Sequence, residues 1–304
     1  MGRRLESSLA CVGDLVSLDR KGGYDKFDNP LCGNLEDLEG IAQTIRYVKP
    51  HVIVNAAAYT DVDRAERDVT RANLVNFHAV QVLAQEAAAM DCLLIHYSTD
   101  YVFDGSGDLP WTESDTTSPL NAYGRSKLSG ERAILSSGCR FHIYRTSWVF
   151  DAQGKNFANT MLRLAASEKI LRVVNDQYGV PTSAKFIAET TAKILSDQKD
   201  RLSSSEIYNL VPNGETTWHE YAEFLLEQAR KVGVDIATER VEAVSSSEYP
   251  THACRPNNSR LNNRKLRDQF SVEVPEWKQG VVDFLKDINC IEKNHSHLEE
   301  EVIR

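Results

Sequence analysis

The feature that most narrows the fold of this chain is a rhythm. Short runs dominated by apolar and aromatic residues alternate with longer helical patterns. His51-Val-Ile-Val-Asn55, Cys92-Leu-Leu-Ile-His-Tyr97 and Phe141-His-Ile-Tyr-Arg145 are such runs, and their near-continuous apolar character suits strands covered on both faces. A helical pattern over 35–48 precedes the first, and further ones over an alanine-rich 66–90 and over 121–136 lie between them. This alternation predicts an α/β fold, a doubly wound parallel sheet joined by crossover helices. At the start, Leu5, Leu9 and Val12 share one face of a helix over 3–12, and Asp14-Leu-Val-Ser-Leu-Asp19 reads as a strand ending in an acid.

Past residue 150 the rhythm continues less regularly. Helices are expected at 156–167, 184–196, 217–232 and 276–287, with short strands near 171–174 and 206–210. Residues 243–262, rich in Ser, Asn and Pro, read as a long irregular loop, a kind of segment that often carries function. The polar stretch 289–304 reads as a frayed tail.

Charge and cysteine usage exclude several classes. A formal charge of −9 and a pI near 5.5 argue against nucleic acid and against anionic membrane surfaces, which need a basic face. No apolar run approaches the roughly 20 residues that span a bilayer, and the N-terminal residues lack the apolar centre of a signal peptide. The six cysteines are scattered without a CxxC pair, which fits reduced thiols and a cytoplasmic protein. His51, His78, His96 and His142 are dispersed, so no metal site is expected from spacing.

The strongest chemical signal is Tyr123-Gly-Arg-Ser-Lys127. Four residues apart on a helix, phenol and ammonium share a face, and a nearby cation would lower the tyrosine pKa. A phenol so tuned can pass a proton to a carbonyl oxygen. The same spacing also occurs as a surface Tyr and a solvated Lys. Context favours chemistry, because Ser98-Thr99-Asp100-Tyr101 follows a strand, and ligands of open α/β sheets bind at strand C-terminal ends. There Thr99 could hold a carbonyl beside Tyr123 and Asp100 a sugar hydroxyl, or both could simply end the strand in a turn.

Other strand ends carry weaker signals. Ala57 and Ala58, after Asn55, would let a flat dinucleotide approach the backbone, or are merely small core residues. Asp19 suits a ribose 2′-hydroxyl, while Arg20 and Lys21 beside it suit a 2′-phosphate, which leaves NADH and NADPH both open. Trp148 in Thr146-Ser-Trp-Val149 could pack on a sugar or fill a core. Arg255 in Arg255-Pro-Asn-Asn-Ser-Arg260 offers a planar fork that matches a diphosphate. A solvated loop would have the same composition.

Taken in order, these segments resemble the extended short-chain dehydrogenase/reductases, and among them the dTDP-4-dehydrorhamnose reductase family. The resemblance runs from about residue 2 to residue 287. It includes Val52-Ile-Val-Asn-Ala-Ala-Ala-Tyr-Thr60, His96-Tyr-Ser-Thr-Asp-Tyr-Val-Phe103, Pro119-Leu-Asn-Ala-Tyr-Gly-Arg-Ser-Lys127 and Asn175-Asp-Gln-Tyr-Gly-Val-Pro-Thr182. It implies a Rossmann-like fold, with a dinucleotide-binding domain over 1–150 and a smaller, partly interleaved substrate-binding α/β region over 151–288. The implied activity is reduction of the 4-keto group of dTDP-4-dehydro-L-rhamnose by NADPH or NADH. By the same resemblance Tyr123 is the proton donor, Lys127 its partner and a ribose ligand, and Thr99 the helper hydroxyl. Asp100, Trp148 and Arg255 would contact the dTDP-sugar, while Gly2, Asp19, Asn34, Leu35, Ala57, Ala58 and Tyr59 would line the cofactor. It also admits Mg2+ and leaves room for a homodimer.

In one place the chain departs from that family. Dinucleotide-binding domains open with a strand and a glycine-rich turn before the first helix, and here only Met1 and Gly2 stand before it. The expectation is a start assigned too far downstream, or a decayed or truncated form, and in either case a chain that as given binds NADPH weakly or folds poorly. A non-catalytic relative, like the regulatory subunit of methionine adenosyltransferase, and a nucleotide-sugar epimerase or dehydratase are the competing expectations.

Overall fold

The structure, a computed structural model, describes residues 1–197 and 205–302, and for 197, 289 and 291–302 the backbone alone. Helix α1 (Gly2–Leu9) leads to a small antiparallel pair, β1 (Gly23–Tyr24) and β2 (Pro30–Leu31). Helix α2 (Leu38–Val48) begins where the Asp37 carboxylate accepts the Gly40 N–H, and stops at a left-handed Lys49 before Pro50. Strand β3 (Val52–Asn55), helices α3 (Val62–Ala65) and α4 (Val69–Asn73), a π-helical turn (Leu74–His78) and α5 (Ala79–Ala89) follow. Next come β4 (Leu93–Thr99), a 3-10 turn (Asp100–Val102), α6 (Ala122–Ser137) and β5 (Arg140–Thr146). The remainder holds β6 (Val149–Phe150), α7 (Phe157–Ala165), β7 (Ile170–Val174), β8 (Tyr178–Gly179), β9 (Thr182–Ser183) and α8 (Ala184–Asp197). It ends with β10 (Glu206–Asn209), β11 (Thr216–Thr217), α9 (Trp218–Lys231), β12 (Arg240–Val244), α10 (Arg264–Phe270) and α11 (Trp277–Val302).

The main sheet is parallel, in the order β10-β5-β4-β3. Alternation along β4 decides what covers each face. Leu93, Ile95 and Tyr97 pack with Leu5 and Leu9 of α1, Ile187 of α8 and Phe270 of α10. Leu94, with Ile143 of β5, packs with Ile41 of α2, Leu83 of α5 and Ile134 of α6. Each fully buried side chain of this size contributes roughly 1.5–3 kcal/mol. With helices on both faces, the architecture is the Rossmann-like, doubly wound α/β fold. A third core joins α7, β7, α9 and α11 through Met161, Leu171, Leu225 and Phe284. Helix α8 packs on α1 and β10 pairs with β5, so elements past residue 150 complete the layers around the main sheet.

Three local expectations are corrected. Residues 14–18 form no strand, and Asp19 makes only an isolated bridge to Gly22. A strand needs a neighbour for its N–H and C=O groups, and these residues have none among those described, which leaves Leu15 and Val16 exposed. The single helix expected at 66–90 is broken into α4, the π-helical turn and α5, with α3 before them. The backbone of α11 runs on to Val302, so the expected frayed tail is helical that far. Among the described residues no helix is long and apolar enough to cross a membrane.

Candidate active site

Just past β3 a cleft of about 370 Å³ opens. Asp19, Asn34, Leu35, Ala57, Ala58 and Tyr59, six residues singled out in the sequence, all line it. Arg20, Arg64 and Arg71 add positive charge, although Arg71 is held by Glu36 at 2.6 Å. One Asp19 carboxylate oxygen already accepts the Lys21 backbone N–H at 2.6 Å. Gly2 is placed elsewhere. It opens α1, does not line this cleft, and a Cβ added there would meet nothing within 4 Å, so no close approach requires a glycine. Arg4 fastens the same helix to Asp151 and Asp287. A second hollow of about 300 Å³, between α8 and α11, contains none of the candidate residues.

Thr99 ends β4 rather than following it, as the strand runs two residues beyond the expected limit. Its hydroxyl accepts the Tyr101 N–H and donates to the Asp100 carboxylate at 3.0 Å. The other Asp100 oxygen is buried without a hydrogen-bond partner. Burial pushes that carboxyl up to about 6, moderated by the nearby Ser259 and Thr99 hydroxyls. Helix α6 brings Tyr123 to this strand end. Its cap is Asn121, which accepts the Gly124 N–H at 2.8 Å. Gly124 permits the approach, since a Cβ there would stand 2.2 Å from the Tyr101 carbonyl oxygen. The Tyr123 ring meets the Tyr101 ring edge-on at 5.7 Å.

The direction of the Tyr123 pKa is opposite to the one expected from Lys127. Burial and the Asp100 charge push the phenol up to about 12, with the Thr99 hydroxyl working the other way. The lysine is engaged elsewhere: its Nζ donates to the Tyr97 carbonyl at 2.6 Å and lies 3.1 Å from His96 Nε2. Burial pulls Lys127 down to about 8. At neutral pH Tyr123 therefore keeps its proton.

Trp148 adopts a left-handed backbone (φ +46), an uncommon conformation for a bulky residue and one that concentrates at functional sites. Its half-buried ring stacks on Trp218 at 3.6 Å, and a Cβ at Gly179 would stand 2.6 Å from it. Arg255 pairs with Asp63 at 2.8 Å, while its buried Nε lacks a partner. Among the described residues no group of three His, Cys, Asp or Glu side chains stands close enough to hold a metal ion.

The RmlD substrate binding domain family matches residues 1–290. A dTDP-4-dehydrorhamnose reductase of Salmonella typhimurium is 44% identical over 288 residues, covering 95% of this chain and 94% of that protein. The chain belongs to the dTDP-4-dehydrorhamnose reductase family. A second member, from Escherichia coli, is 42% identical with the same coverage. A crystal structure of the Bacillus anthracis reductase in complex with NADP superimposes with a TM-score of 0.83 at 28% identity, covering 94% of this chain and 95% of that one.

Three features of this reductase-family site escaped the sequence. Asn76, on the π-helical turn, accepts the Tyr59 N–H at 2.8 Å and donates to the Tyr59 carbonyl and to Ser126. It thereby ties the cleft wall to the helix of Tyr123 and Lys127. Asn55 and His96 form a buried chain to Lys127. Glu131 pairs with Arg145 at 2.6 Å, almost wholly buried, and locks α6 to β5. Only the strand-end position of Asn55 gave any local hint.

Proposed function

We propose that this chain reduces the 4-keto group of dTDP-4-dehydro-L-rhamnose to dTDP-L-rhamnose with NADPH. The bound nicotinamide supplies the hydride. Thr99 and Tyr123 present hydroxyls at the end of β4, where the substrate oxygen is held. The Tyr123 phenol gives its proton to that oxygen as it gains charge. Lys127 stands a helical turn behind it, and Asp100, Trp148 and Arg255 orient the sugar and its diphosphate. Asp19, Asn34, Leu35, Ala57, Ala58 and Tyr59 line the cofactor's cleft. A site dried by burial strengthens each of these interactions.

The observation that carries this reading is the Asn76 bridge, with bonds of 2.8–3.0 Å to Tyr59 on one side and Ser126 on the other. It makes the cleft and the Tyr123 helix one unit. NADPH is preferred over NADH because the exposed Arg20 and Arg64 guanidinium groups flank the cleft, while one Asp19 oxygen is already bonded.

The test is a coupled pair of measurements on the purified chain. NADPH should be consumed only when dTDP-4-dehydro-L-rhamnose is supplied, with dTDP-L-rhamnose as product. A folded, NADPH-binding protein that leaves this substrate untouched would refute the proposal.

A further inference from the structure

The surroundings of Lys127 contain a conflict of hydrogen-bond donors that only one proton arrangement resolves. Nζ is buried, donates to the Tyr97 carbonyl at 2.6 Å and faces His96 Nε2 at 3.1 Å. Across the imidazole, His96 Nδ1 lies 3.1 Å from Asn55 Nδ2. The Asn55 amide cannot be turned round, because its oxygen accepts the Ala57 N–H at 3.2 Å and a flip would set donor against donor. Asn55 therefore donates to Nδ1, and Nδ1 carries no proton.

A neutral imidazole has one N–H, so His96 holds it on Nε2. The imidazolium form is disfavoured twice over. It would aim a second N–H at the Asn55 amide, and the ring is fully buried, which pulls it below its ordinary pKa whatever the charge of the lysine. The Nε2–H then points at Nζ. An ammonium there would meet it donor to donor, whereas an uncharged amine accepts it with its lone pair.

We propose that Asn55 and His96 form a tautomer lock that biases Lys127 toward the uncharged amine in the ligand-free protein, with His96 as a positioning residue. The depression of Lys127 to about 8 agrees in direction. The ionisable groups acting on the amine are His96 from β4 and Glu131 from α6 itself. The Glu131 charge is engaged by Arg145 through two bonds of 2.6 and 3.0 Å. From β3 comes the unionisable Asn55, from the π-helical turn Asn76 on neighbouring Ser126, and the Tyr97 phenol bonds Thr191 instead. An amine poised near neutrality can take up or release a proton, which a fixed ammonium cannot.

The consequence for reduction rests on the function proposed above; the lock itself does not. It is read by 15N NMR of the imidazole and lysine nitrogens in the ligand-free chain. His96 should carry its proton on Nε2. Asn55→Asp should move that proton to Nδ1, free Nε2 to accept from the ammonium, and raise the Lys127 titration by about one pH unit or more. If that variant does not fold by its thermal melt, His96→Gln, whose amide oxygen can turn toward the ammonium, should shift it the same way. The alkaline limb of kcat/KM for NADPH-dependent reduction should rise in parallel. A proton on Nδ1 in the wild-type chain, or a Lys127 titration unmoved in the folded variant, would overturn the lock. Absent reductase activity with the NMR shift intact would count against the proposed function alone.

Discussion

At the C-terminal end of β4 the polar groups are buried, some bonded to one another and some, such as one Asp100 oxygen, without a partner, whereas those along segments 18–36 and 57–71 are mostly exposed, charged and set on turns or short helices. Thr99, Asp100, His96, Lys127 and the Glu131–Arg145 pair belong to the first wall. Asp19, Arg20, Arg64 and the Arg71–Glu36 pair belong to the second. The buried wall is held by core strands and a capped helix, and burial moves the pKa values of Asp100, His96 and Lys127 away from their ordinary ones. The exposed wall keeps its charges in water, where pairing contributes little and recognition waits for a ligand.

The sharpest attempt to break this contrast is Tyr123→Phe. It should lower kcat about 10³-fold, in the range of a lost general acid, with an unchanged thermal melt. Loss of folding instead would make Tyr123 a structural residue.

Glu131→Ala comes next. It strands a guanidinium only 3% exposed, and breaking a buried pair costs about 3–5 kcal/mol. Urea titration should show that loss, and a change below about 1 kcal/mol would mean water reaches the pair.

Asp100→Asn should do the opposite. Folding raises this carboxyl from 3.8 to about 6, so between those values the folded chain keeps a proton that the unfolded chain has released. Stability therefore falls as pH rises through that window, and the penalty is complete above about 6. The variant should melt higher than wild type well above that pH, by on the order of 2 kcal/mol, and converge with it in acid. Equal stability across the range would show that Asp100 is not held above its ordinary pKa.

On the exposed wall the effects should be smaller. Arg20→Ala should raise KM for NADPH about tenfold, near the value of one charge-assisted hydrogen bond, leave KM for NADH unchanged and shift stability by less than about 0.5 kcal/mol. An equal rise for both cofactors would remove Arg20 from 2′-phosphate recognition. Glu36→Ala should cost under about 1 kcal/mol, and a loss like that of Glu131→Ala would erase the distinction between the walls.

Much of this was legible residue by residue. The near-continuous apolar run Cys92–Tyr97 gave a buried strand, the spacing of Tyr123 and Lys127 put them on one helix, and Thr99, Asp100 and Ala57 were legible as strand-end residues. These features depend on local periodicity, which sequence states directly. Leu15 and Val16 read equally well as strand, yet a strand exists only beside a partner, and tertiary structure supplied none among the described residues. His96 read as one of several scattered histidines because its partners lie 41 and 31 residues away. The direction of the Tyr123 pKa followed the same rule. Sequence put a lysine one turn from the phenol, but burial, the Asp100 charge and a competing carbonyl from β4 decide what that phenol holds. Sequence determined which groups are present and which faces they share. Folding decided which of them lost water and to which partners they turned, because desolvation and pairing are set by atoms far apart in the chain.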